Sequence, residues 1–269
     1  MTKRLLGIFA AILGAALIAG PAAAEGKKED AEELVARAAE TVAYFTNDSA
    51  FEALWETADD AKAIVVVPRA FRAGFIWGAS HGAAVMLARK DNGGWSEPTF
   101  YGINTASFGL QIGGEMSEIV LLIMTERGVE QLLSSSVKLG GDISIAAGPI
   151  GGGAKAQTTD VLAFSRSRGL YGGLSLEGAV VKARHKWNRA YYGADVRPAD
   201  VIIRENVYSP ASAKLQNAVW ALAHRNAPAA LAPAIRPVDP QQQQNDEPVR
   251  YEDDAIYGAP IEEPARDPN

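Results

Sequence analysis

The chain has no cysteine. That excludes disulfides, thiolate zinc sites, iron–sulfur clusters, a cysteine nucleophile and a lipidated N-terminal cysteine. Histidine is scarce as well. His81, His185 and His224 are far apart, and no H-E-x-x-H pair occurs, so no metal site is indicated. Positive charge is in deficit, with 26 Lys and Arg against 32 Asp and Glu and a net charge of −6, which argues against nucleic acid as a partner. Nucleotide loops are missing too. Gly148-Pro149-Ile150-Gly151-Gly152-Gly153-Ala154-Lys155 is glycine-rich but lacks the G-K-[ST] ending. No G-x-G-x-x-G follows a strand. No cofactor is implied. What remains is 269 residues with 48% apolar content, ordinary for a globular protein and room for one or two domains.

Those totals average three unlike regions. Lys3 and Arg4 precede an uncharged stretch, Leu5 to Ala19, that Gly20-Pro21 breaks. Its 15 residues fall short of the ~20 a membrane span needs. Ala22 and Ala24 fit an A-x-A cleavage site, so residues 1–24 read as a signal peptide cut before Glu25, with an uncleaved anchor as the alternative. An exported chain without cysteine suits a bacterial periplasm, or secretion. At the other end, residues 227–269 hold eight of the 14 prolines, a run Gln241 to Gln244, and nine acidic against three basic residues. Such a segment cannot bury enough apolar surface to offset its chain entropy and is expected to be disordered. The tail accounts for −6 of the charge. With Lys3 and Arg4 removed, the core 25–226 is left at −2.

The core reads as α+β: a strongly curved, glycine-rich antiparallel sheet, or a barrel-like one, flanked by N-terminal and C-terminal helices. Ala31, Leu34, Val35, Ala38, Val42 and Phe45 recur at helical spacing over roughly Lys28–Phe45. Ser49 with Glu52 resembles a capping box for a second helix ending near Ala61. Ala63 to Val67 is a β-branched strand that Pro68 should end. Strands are expected near 72–80, 83–90, 98–106, 107–114, 117–124, 142–147, 159–167 and 170–181. Asp91-Asn92-Gly93-Gly94 is a hairpin turn. Helices are expected over Thr125–Ser134 and Pro210–His224. Between Gly74 and Gly193 lie 21 of the 26 glycines. Coiling, bulges or close backbone approach would explain that density, and so would a ligand groove.

Gly78-Ala79-Ser80-His81-Gly82 matches G-x-S-x-G. A serine hydrolase would need Ser80 on a strand–turn–helix elbow, with His185 or His224 completing a triad. The residues after Gly82 favour another strand instead. Asp142 and Glu177 are not paired as an acid and a base. No catalytic residue is assigned, and the chain is read as a non-enzyme.

Five motifs occur in a fixed order: Trp95-Ser96-Glu97-Pro98; Gly109-Leu110-Gln111-Ile112-Gly113; Leu139-Gly140-Gly141-Asp142 with Ala147-Gly148-Pro149; Phe164-Ser165-Arg166-Ser167-Arg168-Gly169-Leu170-Tyr171-Gly172-Gly173-Leu174-Ser175-Leu176-Glu177-Gly178; and Asn188-Arg189-Ala190-Tyr191-Tyr192-Gly193. This series resembles the SYLF domain, also called the yeast actin-binding or YAB domain, over about Lys28 to Leu222. The resemblance implies a non-enzymatic lipid-binding domain. Eukaryotic members are endocytic adaptors that bind phosphoinositide membranes, partly through an N-terminal amphipathic helix, and some bind actin. Bacterial members are exported single-domain proteins thought to bind phospholipid. Here the N-terminal helix is acidic (Glu29, Asp30, Glu32, Glu33, Glu40), unlike a helix that lies on anionic lipid. Actin is not an expected partner of an exported chain.

The expected partner is an anionic phospholipid surface. Three basic clusters are candidates for it. Arg69 and Arg72 bracket Phe71. Arg166 and Arg168 alternate on one face of a strand. Lys182, Arg184, Lys186 and Arg189 surround Trp187. Guanidinium groups suit phosphate oxygens, and Trp187, Trp95 and Tyr191 suit a headgroup layer. The alternative for each cluster is a solvated edge, or arginines paired with Asp142 and Glu177. Two further functional readings stay open: an envelope scaffold acting through its tail, and the Ser80 hydrolase.

Overall fold

The run Ala63–Val67 forms a strand, but Pro68 does not end it. In the computed structural model, which describes residues 19–74, 77–108, 113–148, 159–168 and 176–225, strand β1 spans Ala63–Gly74. Its register shifts between Val66 and Arg69 against one neighbour and between Val67 and Ala70 against the other. Proline has no N–H for the ladder, and a bulge is where a sheet tolerates that. The bulge also flips the alternation. Val66 faces one side of the sheet and Val67 the other. Beyond the bulge Arg69 and Phe71 take the side of Val66, and Ala70 and Arg72 the side of Val67.

The segment expected at 72–80 is split: its first residues end β1, and its last join the segment expected at 83–90 in β2, Trp77–Ala88. The strand expected at 98–106 is β3, Thr99–Phe108, and the one expected at 117–124 belongs to β4, Gly113–Ile123; the one expected at 107–114 divides between their ends, with 109–112 outside the described residues. The turn at 91–94 forms as expected, with the Lys90 N–H donating to Gly94 at 2.8 Å and Gly93 at φ +81°. Short strands β5 (Ser136–Lys138) and β6 (Ile145–Ala147) follow, then β7 (Val161–Arg168) and β8 (Val180–Ala183). The described residues form one eight-stranded sheet, ordered β5-β8-β3-β2-β1-β4-β7-β6, that curls into a half-barrel. Every neighbouring pair is antiparallel except β6 with β7, so the sheet is mixed at that edge.

Close approach explains particular glycines. A Cβ on Gly82 would meet Val67 Cγ1 at 2.8 Å, across the bulge. One on Gly148 would meet the Phe164 ring at 2.5 Å.

Helices cover one face. Helix α1, Ala19–Asn47, is longer than its apolar stripe required, and that stripe is buried as expected. The second helix is capped one residue earlier than expected. Asp48, not Ser49, accepts from the Ala50 N–H at 3.0 Å and opens a 3-10 turn, Ser49–Phe51, ahead of α2, Glu52–Ala58. Helices α4 (His185–Tyr192) and α6 (Ala213–Ala223, after a 3-10 turn at Pro210–Ser212) complete this layer. Together they bury Ile64, Val66, Val85, Leu87, Phe100, Val120, Leu122 and Phe164. The opposite face packs on α3 (Glu126–Leu133), α5 (Pro198–Ile202) and the segment around Leu139 and Ile143. Thr125 caps α3 through the Gly128 N–H at 3.0 Å.

No helix among the described residues is long and apolar enough to cross a membrane. The tail at 227–269, the first 18 residues and the glycine-rich loop at 149–158 lie outside the described residues.

Candidate functional site

Among the described residues the helical face is covered at one end only. Helix α1 packs on β1 and β2, and beyond it the sheet continues as an exposed ledge. Pairing across the strands sets side by side Met116 of β4, Phe71 of β1, His81 of β2, Asn104 of β3, Val180 of β8 and Lys138 of β5. Two-residue alternation puts this row on the face of Val66, Val85 and Val120. Phe71 is 55% exposed, Met116 43% and Val180 37%, each unusual for its residue type. His81 Nδ1 lies 2.7 Å from Asn104 Oδ1. Arg168 holds the register position opposite Met116.

One step closer to α1 runs a second row: Arg69 beside Ala83, then Gly102 and Lys182. Arg69, Lys138 and Lys182 are exposed, and their side chains make no hydrogen bond or salt bridge among the described residues. At the far side Arg166 stands opposite Glu118. Its Nε donates to Glu118 Oε2 at 2.6 Å, and its guanidinium lies 3.5 Å over the Tyr44 ring of α1. Burial works against this charge, but Tyr44 and Glu118 outweigh it and raise the Arg166 pKa. Arg166 therefore ties α1 to the sheet rather than facing solvent as a free cation.

Between α1 and the bulge lies a groove of ≈ 300 Å³. One stripe of α1, Asp30, Glu33, Leu34 and Arg37, forms its wall. Pro68, Arg69, Ala83 and Trp187 form the rest. Arg37 Nε donates to Glu33 at 2.8 Å, which lowers the Glu33 pKa, and Arg69 adds to that effect. Arg184 stacks on Trp187 with its guanidinium carbon 4.1 Å from the ring centroid. Burial lowers the Arg184 pKa, and the Asp30 carboxylate opposes it.

The expected clusters are thus redistributed. Arg69, Lys182, Arg184 and Trp187, from three different elements, gather around the groove and ledge. Arg72 does not join Arg69, because three residues of regular alternation separate them and put Arg72 on the opposite face, opposite Ser80 and Glu115. Lys186 points outward from α4, whose buried residues are Asn188 and Tyr191. Arg189 is paired with Asp195 at 2.6 Å. Neither Asp142 nor Glu177 pairs with Arg166. Asp142 instead accepts from the Lys138 N–H at 2.7 Å.

The hydrolase elbow does not form. Ser80 sits inside β2 and bonds the Thr105 hydroxyl. His81 points to the other face, His185 opens α4, and His224 stacks on Trp220. No cluster of metal-ligating side chains occurs among the described residues.

Glu97, within the Trp95–Pro98 motif, has a structural role. It is 8% exposed and accepts from the Ser212 hydroxyl at 2.5 Å, the Ser209 N–H at 3.3 Å and Gln216 at 3.4 Å. Burial outweighs these donors and lifts its pKa to about 7. The Tyr192 hydroxyl donates to the Pro98 carbonyl at 2.5 Å, and Asn188 accepts from the Phe100 N–H at 3.1 Å. The Trp95–Pro98 and Asn188–Gly193 motifs are therefore stitches between helices and sheet. A carboxylate between a serine and a proline was the one signal for this in the sequence.

Residues 104–222 match the family model Ysc84, described as "Las17-binding protein actin regulator". The SH3 domain-containing YSC84-like protein 1 of Rattus norvegicus is 34% identical over 160 residues, covering 57% of this chain and 46% of that protein. The Homo sapiens protein of the same name is 34% identical over 137 residues, 49% and 40% of the two chains. Protein YSC84 of Saccharomyces cerevisiae is 32% identical over 141 residues, 49% and 30%. The chain spans about half the length, or less, of these relatives. No solved structure matches it.

Proposed function

We propose, from the premise that this chain belongs to the Ysc84 family of SYLF domains, that it is a non-catalytic phospholipid-binding protein that docks on anionic membrane surfaces through the ledge. The observation that carries this reading is the juxtaposition of exposed Phe71, Met116 and Val180 with Arg69, Lys138 and Lys182, whose side chains hold no salt bridge among the described residues. Apolar side chains enter the boundary between headgroups and acyl chains, while nearby cations are drawn to the anionic surface. Helix α1 takes no part in insertion. Its apolar stripe is spent on the core and its outer face is acidic.

The signal segment expected at 1–24 supports an envelope location for this activity, outside the compartment of actin. The family description as an actin regulator belongs to its characterised members and is not carried to this chain.

Flotation with vesicles tests the reading. Binding to phosphatidylglycerol vesicles that rises with anionic fraction, falls with salt, and weakens in Phe71→Ser is the expected result. No flotation at any anionic fraction overturns it.

A further inference from the structure

The groove beside the ledge carries both signs of charge, which a site for simple anions would not need. Asp30 lines it within electrostatic reach of Arg184, which stacks on Trp187; it is exposed and makes no hydrogen bond or salt bridge among the described residues. Glu33 is already occupied by Arg37. Arg69 stands at the bulge, likewise without such a partner. The groove therefore offers a carboxylate and a guanidinium, neither held in a salt bridge among the described residues, beside an apolar lining of Leu34, Pro68, Ala83 and Trp187.

We propose that this groove binds the headgroup of a zwitterionic aminophospholipid, with the phosphate on Arg69 and a primary ammonium on Asp30. The proposal rests on the membrane reading of the ledge and names its preferred lipid class. Its volume of ≈ 300 Å³ is at the lower limit of ligand pockets, enough for a phosphoethanolamine-type headgroup and not for acyl chains. A guanidinium matches phosphate oxygens by its fork of donors. A primary ammonium has three N–H donors for a carboxylate, whereas a quaternary ammonium has none and relies on aromatic faces. The groove has one such face, Trp187, and Arg184 is already stacked on that ring. The site thus selects ethanolamine-type over choline-type headgroups. Arg69 lies two residues from Phe71 on the same face of β1, so a lipid held there sits at the edge of the ledge.

Two arms test this with the full chain. In the first, glycerophosphoethanolamine, glycerophosphocholine and glycerol 3-phosphate are titrated against tryptophan emission, with Trp187→Phe to assign the signal. A saturable response to the ethanolamine compound, about tenfold weaker for the other two, is expected. Asp30→Asn should bring the ethanolamine compound down to the level of glycerol 3-phosphate, and Arg69→Gln should weaken all three. Equal responses to the ethanolamine and choline compounds, or an unchanged preference in Asp30→Asn, overturn the proposal. In the second arm, vesicles of equal phosphatidylglycerol content carry phosphatidylethanolamine or phosphatidylcholine as the remainder. Stronger flotation with ethanolamine lipid, erased by Asp30→Asn, supports it. Flotation with no such preference overturns the headgroup assignment and leaves the membrane reading standing. A selective response to the soluble compound with no flotation overturns the lipid source and the membrane reading together.

Discussion

The two halves of each long strand have different jobs. In β1, Ala63 to Val67 are buried on both faces, whereas Arg69 and Phe71 beyond the bulge are exposed. In β4, Ile119 to Ile123 are buried, whereas Met116 is exposed and Glu118 half-buried. β2 repeats the contrast, with Ala84 to Ala88 buried and Ala79 and His81 exposed. One continuous ladder therefore holds a dry half and a wet half, with α1 as the boundary. Stability is concentrated where helices cover the sheet. The wet half is held in shape by the ladder and is free to carry unusual surface chemistry.

Substitutions on either side of the boundary test the contrast. The largest effect is expected in the dry half. Leu122→Ala, at a fully buried position, should cost about 3 kcal/mol in urea unfolding while leaving vesicle affinity of the folded protein intact. A loss as large from Phe71→Ser would break the comparison.

The next effect is a pH dependence. The Glu97 carboxyl has an ordinary pKa of 4.5 and titrates at about 7 when folded. The folded protein holds this proton more tightly than the unfolded chain. Stability is therefore fully present below pH 4.5 and declines as pH rises to about 7, by up to roughly 3 kcal/mol. Thermal melts of Glu97→Gln should lose this slope between those values, and a slope unchanged from wild type would refute the assignment.

In the wet half, Phe71→Ser should lower affinity for phosphatidylglycerol vesicles about tenfold, with stability altered by no more than ~0.5 kcal/mol. Arg166→Ala sits on the boundary. It should cost about 1 kcal/mol of stability through the lost Glu118 pair and Tyr44 stack, with little change in flotation. The smallest effect is expected from Lys182→Ala, a drop of at most about fivefold in vesicle affinity at low ionic strength that disappears in high salt.

Local patterns were legible in the sequence and long-range register was not. The stripe from Ala31 to Phe45 predicts its own burial because helical periodicity is a property of one segment. The turn at 91–94 is equally local. Pro68 misled because a missing N–H usually ends a strand, and only the neighbouring strands show that a bulge absorbs it. The bulge there puts Arg69 and Phe71 on the face of Val66, while Arg72, three residues from Arg69, falls on the other face by ordinary alternation. Arg166 finds Glu118 at 48 residues' separation, where Asp142 and Glu177 were equally eligible by composition. The Asp30–Arg69–Trp187 groove draws on three elements and had no linear signature. The five motifs were visible, but as stitches their meaning lay in partners such as Ser212 and Phe100.

The helical layer also sets an order on how the chain folds. Its first element, α1, packs on its last, α6, and Glu97 is tied to Ser209, Ser212 and Gln216. β1 to β4 lie side by side in the sheet, in the order β3-β2-β1-β4, and few residues separate them in the chain, so they can pair early. Closing a loop of well over a hundred residues comes later and more slowly. Until residues 213–223 leave the ribosome, Leu215, Val219 and Leu222 are missing from the layer, and the sheet residues beneath lack their cover. The nascent chain thus carries an unfinished apolar surface until those residues emerge, which is when it is most prone to aggregate.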